Sequence, residues 1–214
     1  MTMLSMMIVS MSLLSFHAKA QEDKTAMNDK SKTPMDKPAE KMMNPDLKSW
    51  PQASQMAAKE AMDKYGKPDV MAEEMLVWKD KGNWKKIVIT KMDTKHDWPV
   101  AHTDMMEQWV SYRIPTDKVD ELAKFDGSVT YKRTEGLLSA RCDKEAMNIL
   151  ALNLAVEIAN GKMNAEQARM EFTKNAMAFM KGEKPEMTQK LMFSPDASAP
   201  DPDKPADMSG MKKE

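Results

Sequence analysis

Residues 144–162 read KEAMNILALNLAVEIANGK, and this stretch decides the fold. A helix over it carries apolar side chains around nearly its whole circumference, namely Ile149, Leu150, Leu152, Leu154, Val156 and Ile158. Because such a helix has no face suited to water, we expect it to be central and buried. Asp143 is placed to cap its beginning and Gly161 to end it.

The stretches around this helix predict a sheet built from short strands. Two pairs of β-rich runs flank glycine-bearing turns, which is the pattern of β-hairpins. The first pair is EEMLVWK and WKKIVIT, and the second is SVTYKR and GLLSARC. MMEQWVSYRI, residues 105–114, alternates as a single strand, and KLMF, residues 190–193, predicts a final one.

Further helices are indicated by capping patterns and apolar spacing. Ser49 with Gln52 resembles a capping box ahead of one helix, and Asn164 with Gln167 resembles another ahead of the last helix. Thr116 is placed to cap a short one. About four helices and five or six short, mostly hairpin-linked strands indicate the α+β class with an antiparallel sheet.

The two ends of the chain predict segments outside this domain. Residues 4–16 are apolar or small and carry no charge, and Ala18-Lys19-Ala20 follows them, which is the layout of a secretory signal peptide over residues 1–20. Residues 21–48 and 194–214 are proline-bearing and polar, so we expect a disordered leader and a disordered tail. A single globular domain is expected over residues 49–193, exported and periplasmic if the source is a Gram-negative bacterium.

Charge and cysteine content exclude several classes of protein. The chain carries 32 basic and 33 acidic side chains, a net charge of −1, so it lacks the basic surplus of nucleic-acid-binding proteins. No stretch after the leader is apolar enough to span a membrane. With Cys142 as the single cysteine, no disulfide forms within one chain.

Methionine is unusually frequent, with 25 residues in the chain. Methionine fills irregular gaps in cores, but its thioether is also a soft ligand that suits Cu(I). Six methionines lie in the polar terminal segments, where no core needs them: Met27, Met35, Met42, Met43, Met208 and Met211.

The stretch HDWPVAHTDMMEQW, residues 96–109, is the candidate site. His96 and His102 have a spacing known for paired metal ligands, and Met105 and Met106 add thioethers for Cu(I). Carboxylates at Asp97, Asp104 and Glu107 are further candidate ligands. The interpretation that we favour is an ordered loop from His96 to Asp104, which crosses the sheet edge without metal and is anchored by Trp98.

Cys142 admits two interpretations. It precedes a helix and follows Arg141, and both features lower a thiol pKa, whereas the adjacent Asp143 opposes them. A nucleophile paired with His96 or His102 is one interpretation, and a small buried apolar side chain is the other. The sequence contains no P-loop, dinucleotide-binding fingerprint or nucleophile elbow.

Three motifs, HDWPVAH, FDGSV and SARCD, resemble those of a group of exported bacterial proteins that carry no assigned activity. The resemblance spans about residues 50–193 and implies export and a single domain, but no mechanism. More weakly, KYGKPDV followed by a hairpin is similar to the helix-turn-strand unit of small envelope assembly lipoproteins. The lipid-bearing cysteine of that family is absent from this sequence.

These observations favour a non-enzymatic envelope protein that binds an unidentified partner or ligand and needs no cofactor. The first alternative is a periplasmic copper- or silver-binding protein that uses methionines with His96 and His102. The second is a Cys-His hydrolase. The positions of His96, His102 and Cys142 in the folded chain separate these interpretations.

Overall fold

Six antiparallel strands and four α-helices make up residues 46–209, the part of the chain that the computed structural model describes. The strands are β1 Val70–Ala72, β2 Met75–Lys81, β3 Trp84–His96, β4 His102–Ser111, β5 Val129–Lys132 and β6 Leu137–Cys142. The helices are α1 Gln52–Tyr65, α2 Val119–Phe125, α3 Glu145–Ala159 and α4 Ala165–Met180. The predicted α+β class with an antiparallel sheet is confirmed.

The strands form one sheet in the order β1-β2-β3-β4-β6-β5, so both predicted hairpins are present. Residues paired across antiparallel strands point to the same side. The pairs Trp78–Ile87, Ile87–Gln108 and Gln108–Ala140 therefore mark one continuous buried face. The other face carries polar and charged side chains, among them Glu107, Ser139 and Arg141.

Helix α3 is the central element that the sequence predicts. It packs against β6, β4, α4 and α2, and its leucines at 150, 152 and 154 have no exposed surface. Helix α4 then covers α3 with its small and aromatic stripe, Ala165, Ala168, Phe172 and Ala176. Its capping box, Asn164 with Gln167, forms as predicted.

A cluster around Glu145 joins three elements at the beginning of α3. The Glu145 carboxylate accepts hydrogen bonds from Lys64 Nζ at 2.8 Å, from Trp84 Nε1 at 2.8 Å and from Tyr65 Oη. Burial raises the pKa of Glu145, but these three donors outweigh that effect and lower it. Hydrogen bonds to a charged group contribute about 1.5–3 kcal/mol each, so the cluster fixes α1 and β3 against α3.

Three predicted helix caps are wrong. Thr116 does not cap α2, because it belongs to a 3-10 turn, Thr116–Lys118, and Lys118 occupies the cap position of α2. Ser49 does not cap α1, because it belongs to a 3-10 turn, Leu47–Ser49, and α1 begins only after Pro51. Asp143 does not cap α3, since Lys144 occupies the cap position. The Asp143 carboxylate instead contacts the Cys142 thiol and the Lys144 ammonium group.

The predicted strand at residues 190–193 is also wrong. The backbone of this segment forms hydrogen bonds with the side chain of a buried asparagine in α3 and not with a neighbouring strand. The Asn153 side chain donates to the carbonyl groups of Met187 and Lys190, both at 2.9 Å, and accepts from the Met192 amide at 2.7 Å. An apolar run of four residues cannot be told apart from such a packed loop by its pattern alone.

The predicted tail differs from the structure over residues 194–203, which follow the domain surface in a fixed path. Arg113 donates to the carbonyl groups of Ser198 and Pro200, both at 2.8 Å, and Arg133 pairs with Asp201 at 3.0 Å. Ala199 is fully buried. Specific partners on the domain therefore order a segment whose composition alone indicates disorder.

The predicted signal peptide at residues 1–20, nearly all of the predicted leader and the last five residues lie outside the described residues. Within residues 46–209, no helix combines the length and the apolar character that crossing a membrane requires.

Removal of the tail after Phe193 is expected to cost about 1 kcal/mol of unfolding free energy, because the burial of the Ala199 side chain is lost. Gly136 provides a coupled test: its φ is +62°, and a Cβ there would lie 2.3 Å from the Ala199 carbonyl carbon. In the full chain, Gly136→Ala therefore loses tail packing as well as about 1 kcal/mol of backbone energy.

Urea unfolding of both single variants and of the combined variant measures this coupling. In the truncated chain, Gly136→Ala should cost only the backbone contribution, so the two costs should not add. A chain that ends after Lys204 retains the contacts above and serves as the control. Unchanged stability after truncation at Phe193 would show that the tail does not dock.

Candidate metal centre

The centre lies at the far end of the β3–β4 hairpin. The predicted loop from His96 to Asp104 is shorter in the structure, because β3 continues to His96 and β4 begins at His102. The two histidines form a cross-strand pair, and their ring centroids are 4.8 Å apart. Residues 97–101 make the turn, which contains a cis peptide bond before Pro99.

Trp98 anchors this turn to the helices. Its ring lies 4.8 Å from the ring of Phe172 and 6.1 Å from that of Phe125, measured between centroids. The guanidinium group of Arg169 stacks 3.9 Å from the same ring. The turn therefore packs against α2 and α4, which holds the histidine pair in place.

Asp104 completes a three-residue group with the histidines. It follows His102 by two positions on β4, so both side chains leave the strand on the same side. One ligand atom from each of His96, His102 and Asp104 lies within 4.8 Å of the others. Asp104 is only 3% exposed, and its Oδ2 accepts a hydrogen bond from Ser128 Oγ and lies 3.3 Å from His96 Nδ1.

The tautomer of His102 leaves one nitrogen directed at Asp104. Its Nδ1 lies 2.8 Å from the Val100 carbonyl oxygen, which can only accept, so Nδ1 carries a proton. Its Nε2 lies 3.1 Å from Asp104 Oδ1, yet within residues 46–209 that oxygen has no hydrogen bond of good geometry. Nε2 and Oδ1 therefore face each other either as an imidazolium–carboxylate ion pair or as two ligand atoms that share a bound cation.

Electrostatic interactions reinforce this pair. Asp104 is the largest cause that raises the pKa of His102, to about 11, and contact with Cys142 adds to it. Burial alone raises the pKa of Asp104, but His102, Ser128 and His96 together lower it below its usual value. The carboxylate is therefore ionised, and its charge is directed at the histidine nitrogens.

His96 is held by residues that follow α2. Its Nε2 lies 3.9 Å from Asp126 Oδ1, and its Nδ1 lies 3.4 Å from Ser128 Oγ. Burial raises the pKa of Asp126, whose carboxylate accepts from the Ser128 amide at 2.8 Å. Metal-bound histidines commonly have such a partner on the nitrogen that does not bind the metal. The sequence interpretation missed Asp126 and Ser128, although both lie in the FDGSV motif.

A small void lies beside the three converging residues. Its volume is about 10 Å³, and its lining includes His96, His102, Asp126, Arg141, Cys142 and Asn148, but not Asp104. About one water-sized probe fits such a space, which is also the scale of a single ion. Within residues 46–209, Asn148 Oδ1 is buried without a hydrogen-bond partner, and it adds an acceptor to this wall.

Only some of the predicted metal ligands lie close together in the structure. His96 and His102 converge, and Asp104 converges with them. Met105 and Met106 are instead part of the hydrophobic core, with 0% and 3% exposure. Met106 pairs with Cys142 across β4 and β6. The converging set is thus two imidazoles and a carboxylate, which suits a borderline divalent ion better than Cu(I).

The group needs to contract slightly to bind an ion. Bonds from Zn²⁺ to nitrogen and oxygen are about 2.0–2.2 Å, so two ligand atoms on opposite sides are at most about 4.4 Å apart. The present span of 4.8 Å is close to that limit.

Cys142 lies beside this centre, at the end of β6. The thiol is 7% exposed, and burial raises its pKa, although the neighbouring His102 acts in the opposite direction. His102 already directs Nδ1 at Val100 and Nε2 at Asp104. No His102 nitrogen is therefore free to serve as its general base, which disfavours the hydrolase interpretation.

A larger cavity of about 450 Å³ opens next to the void. The turn contributes Pro99, Val100 and Ala101, and α4 contributes Phe172, Ala176, Phe179 and Met180. The polar part of its wall is His102 with the consecutive residues 142–144. Ligand sites typically have volumes of about 300–1,000 Å³ and mainly apolar walls, so this cavity is of a suitable size and character.

Comparisons with known proteins identify no relative: no family model, no curated protein and no solved structure matches the chain.

The Cys142 thiol is expected to be inert in the folded protein. Because it is buried and its pKa is raised, its reaction with dithionitrobenzoate at pH 8 should be on the order of 100-fold slower than in guanidinium, where the chain is open. Absorbance of the released thionitrobenzoate reports the rate, and the unfolded chain is its own control because Cys142 is the single cysteine. A folded rate equal to the unfolded rate would restore the nucleophile interpretation.

Proposed function

We propose that this protein is a non-enzymatic metal-binding protein that holds one divalent transition-metal ion at His96, His102 and Asp104. The observation that carries the proposal is the convergence of three ligand atoms within 4.8 Å, one of which belongs to the buried carboxylate of Asp104. Two imidazoles and one carboxylate are a recurrent ligand set for Zn²⁺ and Fe²⁺.

The surroundings of the three ligands support the proposal. Val100 holds His102 from its second nitrogen, Asp126 faces that of His96, and Ser128 holds Asp104. Such outer contacts orient ligands before the ion arrives, which reduces the entropy lost on binding. The turn anchored by Trp98 restricts the hairpin end further.

Cu(I) is the second candidate ion, and a different observation favours it. Cys142 and Met147 line the same void as the histidines, and their sulfur atoms are soft ligands. Binding of Cu(I) would then depend on the sulfur atoms and only weakly on Asp104. The two candidates therefore respond to different substitutions.

We also propose that the protein works outside the cytoplasm. The support comes from the sequence: an uncharged apolar run at residues 4–16 ahead of Ala18-Lys19-Ala20.

Titration calorimetry of the chelator-treated full chain with Zn²⁺ tests the proposed function. We expect one ion per chain with a Kd of about 1 µM or tighter. His96→Ala, His102→Ala and Asp104→Asn should each weaken binding by more than about 100-fold, and Asp126→Asn by about 10–100-fold. Asp97→Asn removes an exposed carboxylate from the same turn and should leave the affinity unchanged.

A parallel titration with Cu(I), under reducing conditions and with a competing chelator, separates the two ions. If Zn²⁺ does not bind, or if Asp104→Asn binds it as tightly as the unaltered chain, the divalent site is wrong. Tight Cu(I) binding that is lost in Met147→Leu or Cys142→Ala, but kept in Asp104→Asn, would favour the soft-ion site. Thermal melts of each variant identify those that fail to fold.

A further inference from the structure

We propose that the exposed methionines of this protein consume hypohalous acids by oxidation to methionine sulfoxide, and thereby protect the sulfur atoms of the core. Within residues 46–209 eight methionines are exposed, and we call them the surface methionines: Met56, Met75, Met92, Met170, Met177, Met180, Met192 and Met208. None of them belongs to the metal centre, so their oxidation does not require a bound ion.

Methionine and leucine are distributed differently between the surface and the core. Of the 15 methionines within residues 46–209, eight are exposed and three are buried. Of the nine leucines in the same residues, none is exposed and six are buried. The two side chains are both apolar and similar in volume, and they replace one another in cores at little cost. Hydrophobicity alone would therefore bury them alike, and the thioether is the feature that distinguishes the exposed side chains.

The other apolar residue types agree with this comparison. Apart from the surface methionines, the large apolar side chains that are exposed within residues 46–209 are three valines, and none is an isoleucine, phenylalanine or tryptophan. The surface methionines lie on α1, β2, β3, α4 and the segment that follows α4. A small oxidant that diffuses from solvent therefore meets a thioether on each of these parts of the chain.

Four sulfur atoms of the core benefit from this protection. Met105, Met106, Met147 and Cys142 are 0%, 3%, 8% and 7% exposed. A sulfoxide at a buried position places a polar oxygen in apolar surroundings and disrupts the packing. The cavity of about 450 Å³ gives a small oxidant a route to two of these atoms, because Cys142 and Met147 line it. Met180 lines the same cavity and is 59% exposed, so a surface thioether lies on this route.

The thioether reacts with hypochlorous acid without help from other residues. A sulfur lone pair attacks the chlorine atom, the chlorine–oxygen bond breaks, and hydroxide leaves with the bonding electrons. Water then adds to the sulfur, chloride leaves and two protons are released, which gives the sulfoxide. Sulfur loses two electrons and chlorine gains them, so each methionine consumes one molecule of oxidant. At an exposed position water hydrates the new oxygen, and the fold is unaffected.

Stepwise addition of hypochlorous acid to the full chain tests the proposal. Peptide mapping by mass spectrometry locates each sulfoxide, and dithionitrobenzoate in guanidinium measures the Cys142 thiol that remains. In the unaltered chain the surface methionines should be oxidised first, with an unchanged melting temperature and an intact thiol. In a variant with leucine at all eight positions, the thiol should be lost at a dose lower by about eight equivalents per chain.

Two further variants support this comparison. Met170→Leu, Met177→Leu and Met180→Leu together change only α4, and they should lower the dose by about three equivalents even if the eightfold variant fails to fold. Val70→Leu with Val119→Leu alters exposed apolar side chains that contain no sulfur, and it should leave the dose unchanged. Melting temperatures before oxidation identify variants that do not fold.

Three results would overturn the proposal. The first is oxidation of Met105, Met106, Met147 or Cys142 as early as that of the surface methionines. The second is unfolding of the unaltered chain while only surface methionines carry sulfoxides. The third is loss of the Cys142 thiol at the same dose in the unaltered chain and in the folded leucine variants, because the surface thioethers would then give the core no protection.

Discussion

The buried carboxylate of Asp104 is the constraint on which the rest of the centre depends. An ionised carboxylate removed from water costs several kcal/mol unless it is paired and hydrogen-bonded. Here His96 comes from β3, His102 from β4 and Ser128 from the connection between α2 and β5. The charge of the Asp104 carboxylate is therefore compensated only when the end of the β3–β4 hairpin packs against the α2–β5 connection. The fold brings these two segments together, and the interactions of Asp104 stabilise their contact.

The same arrangement leaves the compensation incomplete. Within residues 46–209, Asn148 Oδ1 is a buried acceptor without a hydrogen bond, and Asp104 Oδ1 has none of good geometry, although His102 Nε2 lies 3.1 Å from it. Leaving such groups unpaired costs about 1–3 kcal/mol each, so their presence beside a void has to be accounted for. A bound cation accounts for Asp104, since it satisfies the carboxylate oxygen and the facing imidazole nitrogens together.

Much of the fold follows from the sequence. The apolar circumference of residues 144–162 predicted the buried α3, and the paired β-rich runs predicted both hairpins. The capping pattern of Asn164 with Gln167 was also correct. These features are local, because the residues that determine each of them lie within a single helix or a single hairpin. Ser49 failed as a cap because an equally local 3-10 turn competes for the same residues.

The centre was only partly predictable. His96 and His102 were identified from their spacing, but Asp104 was ranked no higher than its neighbours, although strand alternation places it on the same side as His102. Asp126 and Ser128 reach the site through the pairing of β5, β6 and β4, which no local pattern encodes. The tail was misjudged for the same reason. Composition does not show that Arg113 and Arg133 on the domain donate hydrogen bonds to its carbonyl groups and carboxylates.

Anomalous X-ray scattering from crystals grown with Zn²⁺ tests the central claim most directly. Difference maps from data on either side of the zinc absorption edge locate the ion without assumptions about its ligands. The account predicts one peak per chain, about 2.0–2.2 Å from His96 Nδ1, His102 Nε2 and an oxygen of Asp104. No peak at the end of the β3–β4 hairpin, or a peak whose ligands exclude Asp104, would contradict it.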